Sequence, residues 1–162
     1  MLITSHIAVG SAIGSVLDNT LLVVVLAIVS HYILDMLPHY DSGTRHGNPE
    51  KGIIFDFWDW CLVGSDVLFG LIIIYVAYQY TGKVNVIWGG LATFMVDFLD
   101  KIVLLTFKEG KMGLDNQRKI PIISSITQFH QKIHYKLDRK YWYWGVVVQF
   151  VVLAIGLVII FK

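Results

Sequence analysis

Nine consecutive apolar residues, Leu21 to Val29, run directly into Ser30-His31-Tyr32-Ile33-Leu34-Asp35-Met36-Leu37-Pro38-His39-Tyr40-Asp41. Extended to Leu37, this run approaches the roughly 20 residues that a helix needs to cross a bilayer. His31, Asp35 and His39 recur at i, i+4 and i+8. On a helix they advance only about 40° per step and share one stripe. Two imidazoles and a carboxylate are costly inside or just below a bilayer. They are tolerated where they face the bundle interior and pair with one another or with a metal. The alternative is a polar helix end that only marks the membrane boundary. What decides between the two is whether other helices deliver ligands to the same depth.

The remaining apolar residues are also bunched. The chain of 162 residues is 56% hydrophobic and 15% charged, with a mean hydropathy of +0.63. Soluble domains carry roughly 25% charge. The expectation is therefore an all-α, polytopic membrane bundle in a single domain over residues 1–162, with about five transmembrane helices. The first helix is read from about Ile3 to Leu17, where Gly10, Ser11, Gly14 and Ser15 offer a small-residue face. The second runs from about Leu21 to Leu37 and stops before Pro38. The third spans about Asp59 to Tyr80 and the fourth about Val84 to Phe107. A polar connection, 108–140, carries a further helix around Ser125 to Leu137, and the last span runs from about Tyr141 to Phe161. Tyr141-Trp142-Tyr143-Trp144 reads as an interfacial anchor. No secretory signal is expected, since Thr4-Ser5-His6 interrupts the first apolar run. The lone Cys61 supports neither a disulfide framework nor a thiolate cluster.

Arg45 and Lys51 lie in the second-to-third connection, and Lys108, Lys111, Arg118, Lys119, Lys132, Lys136, Arg139 and Lys140 in the fourth-to-fifth. The opposite side carries only Lys83 and Lys162. The excess of positive charge puts the N-terminus and both long connections in the cytoplasm of a multi-pass inner-membrane protein. An internal repeat is also legible. Ser5-His6-Ile7-Ala8-Val9-Gly10 matches Ser65-Asp66-Val67-Leu68-Phe69-Gly70, and Leu34-Asp35-Met36-Leu37 matches Val96-Asp97-Phe98-Leu99. Residues 1–41 and 59–107 would then be one helical hairpin used twice, with Asp35 facing Asp97 and His6 paired with Asp66.

With that topology, His6, His31, Asp35, Asp66 and Asp97 all fall within roughly 5–15 Å of the cytoplasmic boundary at 1.5 Å per residue. Four helices thus bring carboxylate or imidazole to one layer, which favours a shared site over separate helix caps. Asp100 ranks below Asp97, because it can pair with Lys101 or cap the helix end. His130 and His134 in the polar connection stand at i, i+4, the spacing that sets two imidazoles on one helix face for a metal. The metal-ligand set expected is His6, His31, Asp35, Asp66, Asp97, His130 and His134, holding one or two divalent ions, Zn or Mn. His39 and Asp41 sit at the mouth as candidate bases. His46 reads as an exposed loop residue, and Asp56 and Asp59 as solvated.

His6 followed by Asp35-Met36-Leu37-Pro38-His39-Tyr40-Asp41 resembles the bacterial inner-membrane metal-dependent hydrolase family, over about the first quarter of the chain. The resemblance implies His6, Asp35, His39 and Asp41 as metal ligands. Family members also carry a His-Arg-x-x-Thr-His element after the second helix. Thr44-Arg45-His46-Gly47 does not reproduce it, and His130 and His134 are expected in its place.

The function expected is hydrolysis of a lipid or lipid-linked (phospho)ester near the cytoplasmic surface, with a bound metal activating water. Membrane lipid is the expected partner, nucleic acid is not, and the oligomeric state is open. A metal-ion transporter, or a metal-binding membrane protein without hydrolytic activity, is the alternative. The transporter is disfavoured by outer helix halves such as Leu21 to Val29 and Val151 to Ile160, which carry no ionisable residue. A di-iron desaturase would need more than the six histidines present. A polar cluster that only joins helices is the remaining possibility.

Overall fold

The computed structural model describes residues 1–39, 57–106, 129, 132 and 141–162, and the side chains of these except 59 and 100–106. Five helices are described: α1 Ile3–Val16, α2 Thr20–Asp35, α3 Phe57–Thr81, α4 Asn85–Thr106 and α5 Trp142–Ile160. No strand pairs with another among the described elements. Each helix lies within about two residues of its expected bounds, because the apolar runs and the turn residues between them are unambiguous. Phe129 and Lys132 are helical, inside the stretch expected as a helix, whose other residues lie outside those described.

Length departs from expectation. Among the described residues, two helices, Trp60–Thr81 and Trp142–Ile160, are long and apolar enough to cross a membrane. Helix α1 has 14 residues and α2 has 16. At 1.5 Å per residue, α1 and α2 reach only about 21–24 Å. Both stop at the polar layer that holds His6 and Asp35.

Helix α1 is the hub and touches all four others. Ten of its residues, from Ile3 to Gly14, are buried, so it is enclosed on nearly every side. Small residues make that possible. A Cβ on Gly10 would collide with the Gly89 carbonyl, and one on Gly14 with the Asn85 carbonyl. Gly10 opposite Gly89 and Gly14 opposite Asn85 define an antiparallel α1–α4 register in nearly direct backbone contact. Gly156 of α5 lies against Ala8, and Ile7 fills the space beside Gly70 of α3. Ala12 packs with Ala77, Val86 and Ile160. The contacts advance in step, so α1, α3 and α5 run one way and α2 and α4 the other.

Both hairpin turns therefore lie at one end. Asn19 caps α2 by accepting from the Leu22 N–H at 3.0 Å. Gly82 takes φ +66°, and its N–H donates to the Tyr78 carbonyl at 2.8 Å, ending α3 with a left-handed cap. Asn85 ties the two turns together. Its Nδ2 donates to the Leu17 and Asp18 carbonyls at 3.0 and 2.8 Å, and its Oδ1 accepts from Thr20 Oγ1 at 2.8 Å. Tyr80 Oη donates to the Phe161 carbonyl at 3.3 Å, bringing the end of α5 to the same level. The opposite end, where α1 begins and α2 finishes, holds the buried ionisable residues His6, His31, Asp35, His39 and Asp66.

Candidate metal centre

Helix α1 starts at Leu2, which has no side chain able to cap its first N–H groups. Asp66, on α3, supplies the cap from outside. Its Oδ2 accepts from Ile3 N at 2.7 Å and its Oδ1 from Thr4 N at 3.0 Å. Thr4 Oγ1 also donates to Asp66, at 2.5 Å to Oδ1 and 2.7 Å to the carbonyl. A carboxylate at this position answers both the orphan donors and the positive end of the helix dipole. It also sets the rotation of α1, which turns His6 toward α2.

There His6 meets Asp35 and His31. His6 Nε2 is 3.1 Å from Asp35 Oδ1, and His31 Nε2 is 3.2 Å from Asp35 Oδ2. The two imidazoles stack, with centroids 4.0 Å apart and planes at 24°. Burial is nearly complete, with His6 and His31 at 0% and Asp35 at 1% exposure. One donor atom from each of these three residues lies within 4.8 Å of the others. Asp35 Oδ1 also stands 3.2 Å from the Met1 nitrogen.

Two further groups face this trio. Helix α4 carries Asp97, whose Oδ1 is 3.9 Å from His31 Nε2. Its Oδ2 is buried without a hydrogen-bond partner among the described residues. His39 lies beyond the end of α2, because Pro38 stops the helix. The stripe expected on one helix therefore closes by a turn instead. Met36 N and Leu37 N donate to Ile33 and Leu34 carbonyls, tightening the helix end. His39 Nδ1 donates to the Leu37 carbonyl at 2.7 Å, which places the ring proton there and turns Nε2 to within 3.9 Å of Asp35 Oδ1. A backbone carbonyl fixing the tautomer in this way is the usual support of a metal-binding histidine.

These residues fit a divalent cation. Ligands at about 2.0–2.1 Å in tetrahedral array lie about 3.3 Å apart, close to the His6–Asp35 and His31–Asp35 separations. Gaps of 3.9 Å are too long for hydrogen bonds and somewhat longer than that tetrahedral separation, so Asp97 and His39 stand just outside the array of the other three. The charge argues the same way. Two carboxylates share an enclosed layer, and one buried oxygen of Asp97 has no donor. Such an oxygen costs several kcal/mol, of order 1–3 or more, unless a cation faces it.

Of the residues expected at the site, His6, His31, Asp35, Asp97 and His39 converge. Asp66 lies at the same end but is engaged with the start of α1. The repeat thus pairs positions of unlike use, since His6 points at Asp35 whereas its match, Asp66, caps a helix. Asp41, His130 and His134 lie outside the described residues. Phe129, next to His130, packs its ring 5.9 Å from Tyr32, the neighbour of His31. Thr4 was not legible as part of this end, since a lone threonine near a helix start has no pattern that names its distant partner. No family model, curated protein or solved structure matches the chain.

Proposed function

We propose that this chain is a multi-pass membrane hydrolase with its N-terminus cytoplasmic, holding a divalent ion, Zn or Mn, between His6, His31 and Asp35. The observation that carries the reading is the convergence of two imidazole Nε2 atoms on the two oxygens of one fully buried carboxylate, with a second carboxylate alongside. The membrane setting is supported by the outward faces. Leu21, Leu22, Val25 and Val29 on α2, Leu68, Phe69 and Ile72 on α3, and Phe150, Val151 and Val158 on α5 are all exposed. So much contiguous apolar surface would be insoluble in water and suits lipid.

When bound, the metal lowers the pKa of a coordinated water and polarises a carbonyl or phosphoryl oxygen. The protein's residues do the rest. His6 on α1 and His31 and Asp35 on α2 hold the site, with α1 fixed against α4 by close backbone packing. Asp97 Oδ2, without a donor of its own, is placed to take a proton from water. His39, its tautomer set by Leu37, stands at the edge as a second proton acceptor. The bulk of the apolar bundle keeps other water away.

A second reading, metal binding without hydrolysis, is favoured by the burial of the three central residues, which leaves Asp97 as the most exposed of the buried trio's partners at 14%. Metal analysis of the purified protein by elemental mass spectrometry tests the shared core of both. The expected result is a stoichiometric divalent ion that survives gentle detergent exchange. Background metal in a folded preparation that does not take up added Zn or Mn would overturn both readings.

A further inference from the structure

Asp97 and His39 stand at the same remove from the buried trio and differ in charge. Asp97 Oδ1 is 3.9 Å from His31 Nε2, and His39 Nε2 is 3.9 Å from Asp35 Oδ1. Neither gap is a hydrogen bond. His39 holds a ring proton on the Leu37 carbonyl, so toward a metal it presents the lone pair of a neutral ring. Asp97 presents a carboxylate, and its Oδ2 is buried with no hydrogen-bond partner among the described residues.

The position of Asp97 follows from the packing of α4. Gly89 is pressed against Gly10. Asp97 lies two turns beyond Gly89, whereas His6 lies one turn before Gly10. In this antiparallel pair Asp97 therefore sits about 6 Å further along than His6, at 1.5 Å per residue. Its side chain leans back toward the start of α4, as helical side chains do, and carries the carboxylate to His31. Two backbones in contact leave α4 no room to slide, so this charge is held beside the trio and not within it. Asp66 is a different case, because its oxygens already accept from Ile3 N, Thr4 N and Thr4 Oγ1.

A charge held beside a cation without bonding to it acts through Coulomb's law, and its effect scales with the charge of the ion. The effect is strong in an enclosed layer, and His6, His31 and Asp35 at 0–1% exposure form one. Such a carboxylate adds twice as much to the logarithm of affinity for a divalent ion as for a monovalent ion of the same size. The difference made by removing it is independent of what other charges stand nearby, since those act on the site before and after alike.

Resting on the metal-binding part of the reading above, we infer that Asp97 sets the charge of the ion that the centre takes. It selects divalent over monovalent cations from outside the coordinating set. Imidazole suits copper as well as zinc, so the two histidines of the trio do not make that choice themselves.

The test compares Zn with Cu(I), which share a filled d shell and differ in charge. Both affinities are measured on the purified protein by chelator competition, under anaerobic reducing conditions. The exposed Cys61 is replaced by serine throughout, and ions bound elsewhere are subtracted with a His6→Ala sample. Asp97→Asn should lower Zn affinity at least about tenfold, and Cu(I) affinity by only about the square root of the Zn factor. Asp97→Ser gives the same comparison where Asp97→Asn does not fold. Asp97→Glu keeps the charge and should keep the preference for Zn. His39→Ala, at the same gap without a charge, should shift both affinities by one factor. Equal losses of Zn and Cu(I) in the uncharged Asp97 variants, or no loss of either, would overturn the inference and leave the metal centre standing. A folded, unaltered protein that takes up neither ion would overturn the metal reading itself.

Discussion

At the scale of single residues, three aspartates at one end of the molecule do different work. Asp35 brackets two imidazoles, Asp97 leaves an oxygen without a donor, and Asp66 caps a helix. Substitution should separate them. Asp66→Ala removes acceptors from two buried N–H groups and should cost about 1–3 kcal/mol of stability. Metal bound at saturating concentration should be retained, because no ligand is lost. Thermal unfolding in the presence of Zn, followed by metal analysis of the folded fraction, checks both parts. His39→Ala should weaken metal affinity less than His31→Ala, since His39 Nε2 stands 3.9 Å from Asp35 whereas His31 Nε2 stands 3.2 Å away. Competition with a chromogenic chelator gives that order directly.

Elements extend the argument. Helix α1 is held by absence of side-chain bulk, so the fold depends on glycines whose neighbours are backbone. Gly10→Ala puts a methyl into the Gly89 carbonyl and must push α1 and α4 apart, at an expected cost of about 1–3 kcal/mol. Gly64→Ala meets nothing within 4 Å and should be neutral or slightly stabilising, by up to about 1 kcal/mol. Melting temperatures of the two variants in one detergent make the comparison. The helices themselves were legible in the sequence, since apolar runs ended by Asp18-Asn19, Pro38 and Gly82-Lys83 leave little choice. The central place of α1 was not. It depends on Gly10 and Gly14 finding Gly89 and Asn85 far along the chain, a register that no local pattern states. The same limit applies to Asp66. A carboxylate near a helix start serves as a ligand or as a cap, and only the packed position of α1 against α3 decides which.

For the whole molecule, the two hairpin turns gather at one end and the buried ionisable residues His6, His31, Asp35 and Asp66 at the other. What was not legible is that α1 and α2 end at the polar layer while α3 and α4, which also carry residues of it, continue beyond. A cysteine introduced between Gly110 and Asn116 should react with an impermeant maleimide only after permeabilisation, and external labelling of intact cells would reverse the proposed topology. The central claim is that the buried His6–His31–Asp35 group exists to hold a metal. Asp35→Asn keeps the size of the side chain and removes the charge that balances a cation. Metal content and melting temperature should be measured on the same purified Asp35→Asn sample, beside the unaltered protein. The account predicts a folded, monodisperse variant whose bound Zn or Mn falls at least about tenfold; a variant that keeps its full complement of metal would contradict it.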